Sequence, residues 1–111
     1  MKILSSPEVL QYLNELVDIL YEENYFGFED SAIEYVEKLK SDIKKTLPYR
    51  PKHKAPHYFD RYGKDMYYVV FKKSKATQWY VFFTIYEEAG ELTCLIRYIS
   101  NNHVIARLLF N

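Results

Sequence analysis

The residues in this sequence best suited to chemistry are a set of cations and one imidazole: Arg97, His103 and the adjacent Lys72 and Lys73. Guanidinium and ammonium groups can neutralise the charge that grows on a phosphate as it is cleaved, and an imidazole can give or take a proton near neutral pH. Around them stand residues that a nucleic-acid surface would use. Tyr80 and Tyr98 could stack on bases, Asn101 and Asn102 could hydrogen-bond, and Lys52, Lys54 and Arg61 could meet backbone phosphates. Such a set could position an RNA 2′-hydroxyl beside the phosphate it attacks. The same residue types also have a plainer use, since hairpin lysines keep an edge soluble and strand aromatics fill a core.

Other chemistries find less material. His53 and His57 are four residues apart but lie either side of Pro56, and no Cys or carboxylate cluster completes a metal set. Gly27, Gly63 and Gly90 are too far apart for a phosphate-cradling loop. No Gly-x-Ser-x-Gly context presents a nucleophile. Neither a metal nor an organic cofactor is expected.

Three apolar runs must position the cations: Met66 to Phe71, Trp79 to Tyr86 and Leu92 to Ile99. Their Val, Ile, Phe, Tyr and Trp content and the short polar breaks between them predict a three-stranded antiparallel meander. Alternation gives each strand two faces. Trp79, Val81, Phe83 and Ile85 form one apolar set, matched by Leu92, Cys94, Ile96 and Tyr98. These should face the rest of the core, leaving Tyr80, Thr84, Thr93 and Arg97 on an open second face. Arginine in mid-strand is costly to bury, so Arg97 should look into water or a wet cleft.

Two helices supply the cover. Ser5-Ser6-Pro7-Glu8 reads as a helix start, and Val9, Leu13, Leu16, Val17 and Leu20 mark one face of a helix over residues 7–23. Gly27 falls in the break that follows. Asp30 or Ser31 can cap a second helix with Ala32, Tyr35, Val36, Leu39, Ile43 and Leu47 on one face, ended by Pro48. The short connection predicts an antiparallel helical hairpin. Lys2-Ile3-Leu4 could add an edge strand, Tyr58-Phe59 could begin another, and Val104 to Phe110 could form a short last helix. Residues 48–65, with three prolines and five cations, read as an irregular surface loop able to bind. The expected class is α+β: a helical hairpin on a small antiparallel sheet of three to four strands.

At 111 residues the chain is one domain by size, and with 18% aromatics it has ample material for a core. The lone Cys94 cannot form an internal disulfide, which fits a reducing compartment. No run is long enough to span a membrane and no signal region opens the chain, so a cytoplasmic protein is expected. Net charge is zero but unevenly spread. Residues 1–37 carry net −8 and residues 38–75 net +9. That basic block suits a polyanion or an acidic partner; the alternative is neutralisation within the fold.

The order of parts resembles the RelE/ParE superfamily of bacterial type II toxins. The likeness spans most of the chain: Ile3-Leu4-Ser5-Ser6-Pro7-Glu8-Val9 entering helix one, Ala32-Ile33-Glu34-Tyr35-Val36 with Leu39 in helix two, the proline-bearing connector, and three strands ending in Ile96-Arg97-Tyr98-Ile99-Ser100-Asn101-Asn102-His103. The resemblance implies growth inhibition by mRNA cleavage on the ribosome or by poisoning of DNA gyrase, with a cognate acidic antitoxin as partner. It also implies roles: Lys72 and Lys73 holding the RNA backbone, Arg97 stabilising phosphate charge, and His103 as acid or base. The sequence departs from the family pattern in having no arginine on Trp79 to Phe83 and no net positive charge. A second class stays open, a non-catalytic nucleic-acid or protein binding module. In a winged-helix-like version, Lys38, Lys40, Lys44 and Lys45 would form a DNA-binding face with Arg50 to Lys54.

Overall fold

The computed structural model describes residues 1–22, 29–74 and 77–102, with backbone alone at 29 and 30. Strand β1 (Lys2–Ser5) runs directly into helix α1 (Pro7–Glu22). Ser6 is the cap: its Oγ accepts from Val9 N–H at 3.3 Å, and its carbonyl accepts from Leu10 N–H at 3.0 Å. Pro7 takes the first helical position, where a missing N–H is harmless. Spacings of three and four then turn Val9, Leu13, Leu16 and Leu20 inward. Helix α2 (Glu29–Thr46) does the same with Ala32, Val36, Leu39 and Ile43. Pro48 stops it, and the 3-10 turn Leu47–Tyr49 carries the buried stripe one residue further to Leu47. The residues joining the helices, Gly27 among them, lie outside the described residues.

The sheet has five strands in the order β1-β5-β4-β3-β2. Strand β2 is His53–Lys54, β3 Tyr67–Lys72, β4 Gln78–Glu88 and β5 Glu91–Asn101. Strands β2 to β5 are antiparallel to their neighbours, whereas β1 pairs parallel with β5, Lys2 opposite Thr93 and Ser5 opposite Ile96. The α+β class with two helices on a sheet therefore holds, but the sheet is mixed and larger than the three to four antiparallel strands expected. The chain reaches β5, the parallel partner of β1, only after both helices and strands β2 to β4, a connection long enough to let parallel strands lie side by side. The last helix expected at Val104 to Phe110 lies outside the described residues.

The helices cover one face of the sheet. Val69, Phe71, Trp79, Val81, Phe83, Cys94, Ile96 and Ile99 meet the buried stripes of α1 and α2. The indole Trp79 Nε1 donates to Tyr35 Oη at 2.8 Å, so the largest core side chain keeps its hydrogen bond.

The other face, expected to be open, is also covered. Phe59 and Met66 close over Tyr80 and Phe82, with Ala55, Tyr62, Tyr68, Val70 and Tyr98 around them. The cover is the connector: Tyr58-Phe59 belongs to a 3-10 helix, His57–Arg61, and not to a strand. Three residues per turn eclipse i and i+3, so Phe59 and Tyr62 turn inward while Tyr58 and Arg61 turn out. Residues 55–66 are thus a packed lid over a second, smaller core.

Candidate functional site

The site begins with an irregularity in β5. Phe82 pairs with Tyr98, but the next residue, Phe83, pairs with Ile96. Arg97 is the extra residue between them, a β-bulge, and an extra residue re-aims its side chain and shifts the alternation beyond it. Arg97 is exposed as a result. The shift also corrects the expected face assignment: Tyr98 joins the second core and Ile99 takes its place beneath the helices.

At the bulge β1 has already turned away into α1, its last pairing being Ser5 with Ile96. A cleft of about 610 Å³ opens there, between the start of α1 and the end of the lid. Ser6, Glu8, Val9 and Tyr12 form one wall; Arg61, Tyr62, Arg97 and Tyr98 form the other. Two cations therefore face a single carboxylate.

Both arginines are anchored by the lid. Arg97 Nε donates to the Tyr62 carbonyl at 2.7 Å, and Arg61 Nε donates to the Tyr58 carbonyl at 3.1 Å. The Arg61 guanidinium also lies over the Tyr58 ring, 3.9 Å from its centroid. No ion pair or hydrogen bond engages the terminal NH2 groups of either arginine among the described residues. Tyr62 stacks on Tyr98 with centroids 4.0 Å apart and planes 5° from parallel. Burial, and then the neighbouring Tyr98, push the Tyr62 phenol above its usual range. The arrangement can bind an anion with the forked ends of two guanidiniums, and Glu8 supplies the carboxylate among the lining residues.

Of the residues singled out from sequence, the cleft gathers Arg97, Arg61 and Tyr98. Tyr80 is 2% exposed, beneath the lid, with its hydroxyl on Gln78 Oε1, and offers no stacking surface. Lys72 is exposed at the far end of β3, opposite Gln78, and the backbone N–H of Gln78 in turn donates to Asn102 Oδ1 at 2.9 Å. Asn101 is half-buried opposite Trp79 at that same end. Lys73 turns to the helices and pairs with Asp42 of α2. Lys52 reaches over the Tyr67 ring at 5.2 Å, and Lys54 is exposed on β2. His103 lies outside the described residues.

Sequence reasoning missed Tyr62, Gly63, Glu8 and Tyr12. The signal for Tyr62 was its spacing of three from Phe59; the others carry none. The α2 lysines do not make an uninterrupted basic face either, since Lys38 and Lys40 pair with Glu34 and Glu37. Among the described residues, no three or more His, Cys, Asp or Glu side chains come together to hold a metal, and no helix is long and apolar enough to cross a membrane. Comparison with family models, curated proteins and solved structures finds no match to the chain.

Proposed function

We propose that the chain is a RelE/ParE-type toxin of a bacterial type II toxin-antitoxin pair, acting in the cytoplasm on RNA bound at the cleft around Arg97. The observation that carries this reading is an exposed guanidinium on the sheet, held by Nε and left with its forked end for a ligand, beside a second arginine anchored the same way. In this reading Arg97 stabilises charge on the scissile phosphate, Lys72 holds the strand further along, and His103 exchanges the proton. The acidic antitoxin would neutralise the basic segment of residues 38–75.

The test is tightly controlled expression with and without the product of the adjacent gene. Growth arrest with fragmented mRNA, relieved by the neighbour and by Arg97→Ala, is the expected result. Arrest with intact mRNA and inhibited supercoiling would redirect the reading to gyrase. Normal growth with intact mRNA would end it.

A further inference from the structure

Arg97 owes its position to a residue that makes no hydrogen bond with it. The backbone of Gly63 passes so close to the arginine that a Cβ there would lie 2.6 Å from Nε and 2.8 Å from Cδ, with Met66 Sδ at 3.2 Å. A real Cβ does not tolerate the first two distances, so any other residue at 63 must push the Arg97 side chain aside. The residue before it, Tyr62, gives its carbonyl to Arg97 Nε and its ring to Tyr98, the neighbour of Arg97 on β5. Two residues before that, Asp60 closes the turn by accepting the Gly63 N–H at 3.2 Å. Arg61 lies between, fixed to Tyr58.

We infer that Gly63 is a positioning residue, and that the end of the lid, Arg61 to Gly63, makes the cleft a two-armed clamp for a phosphate group. The inference rests on the reading of Arg97 as the phosphate-contacting residue. Each arginine spends Nε on a lid carbonyl and so presents its terminal NH2 pair as a fixed fork, the geometry that suits phosphate oxygens. Gly63 leaves the gap through which Arg97 reaches its carbonyl. The clamp is therefore assembled only when the lid is packed on the second core.

Inorganic phosphate is the probe, titrated into the full chain while the Nε–H signal of Arg61, present in every variant, is followed by NMR beside that of Arg97. Wild type should show a saturable shift of both signals. Gly63 has no left-handed backbone conformation to lose, so Gly63→Ala should melt within about 3 °C of wild type. It should nevertheless bind phosphate about tenfold more weakly, the loss expected for one charge-assisted hydrogen bond. In a Gly63→Ala/Arg97→Ala double variant the glycine change should add nothing, because it acts through the arginine. If Gly63→Ala fails to fold, Arg97→Lys replaces it: the charge stays, the Nε donor goes, and binding should fall similarly. Phosphate affinity unchanged by Gly63→Ala or by Arg97→Lys, additive effects in the double variant, or no binding to wild type would each overturn the clamp. These readouts do not depend on toxicity. A working clamp in a chain that leaves growth untouched would sink the toxin reading alone.

Discussion

Phe59 lies flat on Phe82, ring centroids 4.4 Å apart and planes within 24°, and this stack joins the proline-bearing connector to the centre of the sheet. Phe59 is 1% exposed and Phe82 is fully buried. The contact makes the far face of the sheet a second core, and it holds the segment that carries Arg61 and anchors Arg97.

Truncation of Phe59 should therefore act on both fold and site. Phe59→Ala removes a buried ring and should destabilise the chain by about 3–5 kcal/mol, as large-to-small core changes do. Urea unfolding followed by tryptophan fluorescence measures it. A cost below about 1 kcal/mol, the range of surface positions, would mean that the connector is a loosely held loop.

Lys73 was expected beside Lys72 on a binding hairpin, yet its ammonium is paired with Asp42 of α2. The carboxylate is nearly half exposed, so solvent screens the pair, and Lys73→Ala should cost no more than about 1 kcal/mol. On the proposed function, its effect on RNA binding should be smaller than that of Lys72→Ala, whose side chain is exposed. Gel shifts at several salt concentrations separate them: Lys72→Ala should lower the salt slope by about one, and Lys73→Ala should leave it alone. Equal slopes for the two variants would remove the distinction.

The helices were readable because Val9, Leu13, Leu16 and Leu20, and Ala32, Val36, Leu39 and Ile43, repeat at helical spacing; Ser6 caps the first as its sequence suggests, whereas the second begins at Glu29, ahead of the expected caps Asp30 and Ser31. The β4 faces were readable for the same reason at a period of two. What periodicity cannot reveal is a break in itself. The bulge at Arg97 leaves composition untouched, so Tyr98 and Ile99 were assigned to each other's faces. Phe59 and Tyr62 lie among prolines and cations, and the inward turn they share rests on a 3-10 helix whose one spacing of three is its only mark in the sequence. Arg97 was legible as an exposed cation, because charge burial is costly anywhere. Gly63 was not, because a close approach between residues 34 positions apart exists only once the lid is folded.

Alkaline pH should weaken the fold from one direction only. Burial pushes the Cys94 thiol and the Tyr35, Tyr62 and Tyr80 phenols upward. Lys52 and the amino terminus partly offset this for Cys94, as does the Trp79 hydrogen bond for Tyr35. The folded chain thus keeps protons that the unfolded chain releases at the ordinary values of 9.0 for the thiol and 10.0 for the phenols. Their stabilisation is whole below those values and is lost as pH rises through the raised ones. The urea midpoint should hold at about pH 8 and fall steadily toward about pH 11, less steeply in Tyr80→Phe. A midpoint that rises over this interval would contradict the assigned shifts.

The β4–β5 turn offers a stabilising change. Glu88 pairs with Glu91, so Ala89 and Gly90 alone form the loop, with φ of 52° and 80°. Two left-handed residues in a two-residue hairpin define the type I′ class, whose twist matches that of the strands. Nothing lies within 4 Å of a Cβ at Gly90, so the glycine is there for conformation and not for space. Ala89 bears the same conformation with a methyl group that opposes it, at a cost of about 1 kcal/mol. Asparagine tolerates that region better, so Ala89→Asn should raise the melting temperature by about 4 °C. Gly90→Ala should lower it by a similar amount, because it imposes the Ala89 penalty a second time. Calorimetry on the pair is decisive: a neutral Gly90→Ala would mean that the hairpin readily adopts another turn, and the strain assigned to Ala89 would go with it.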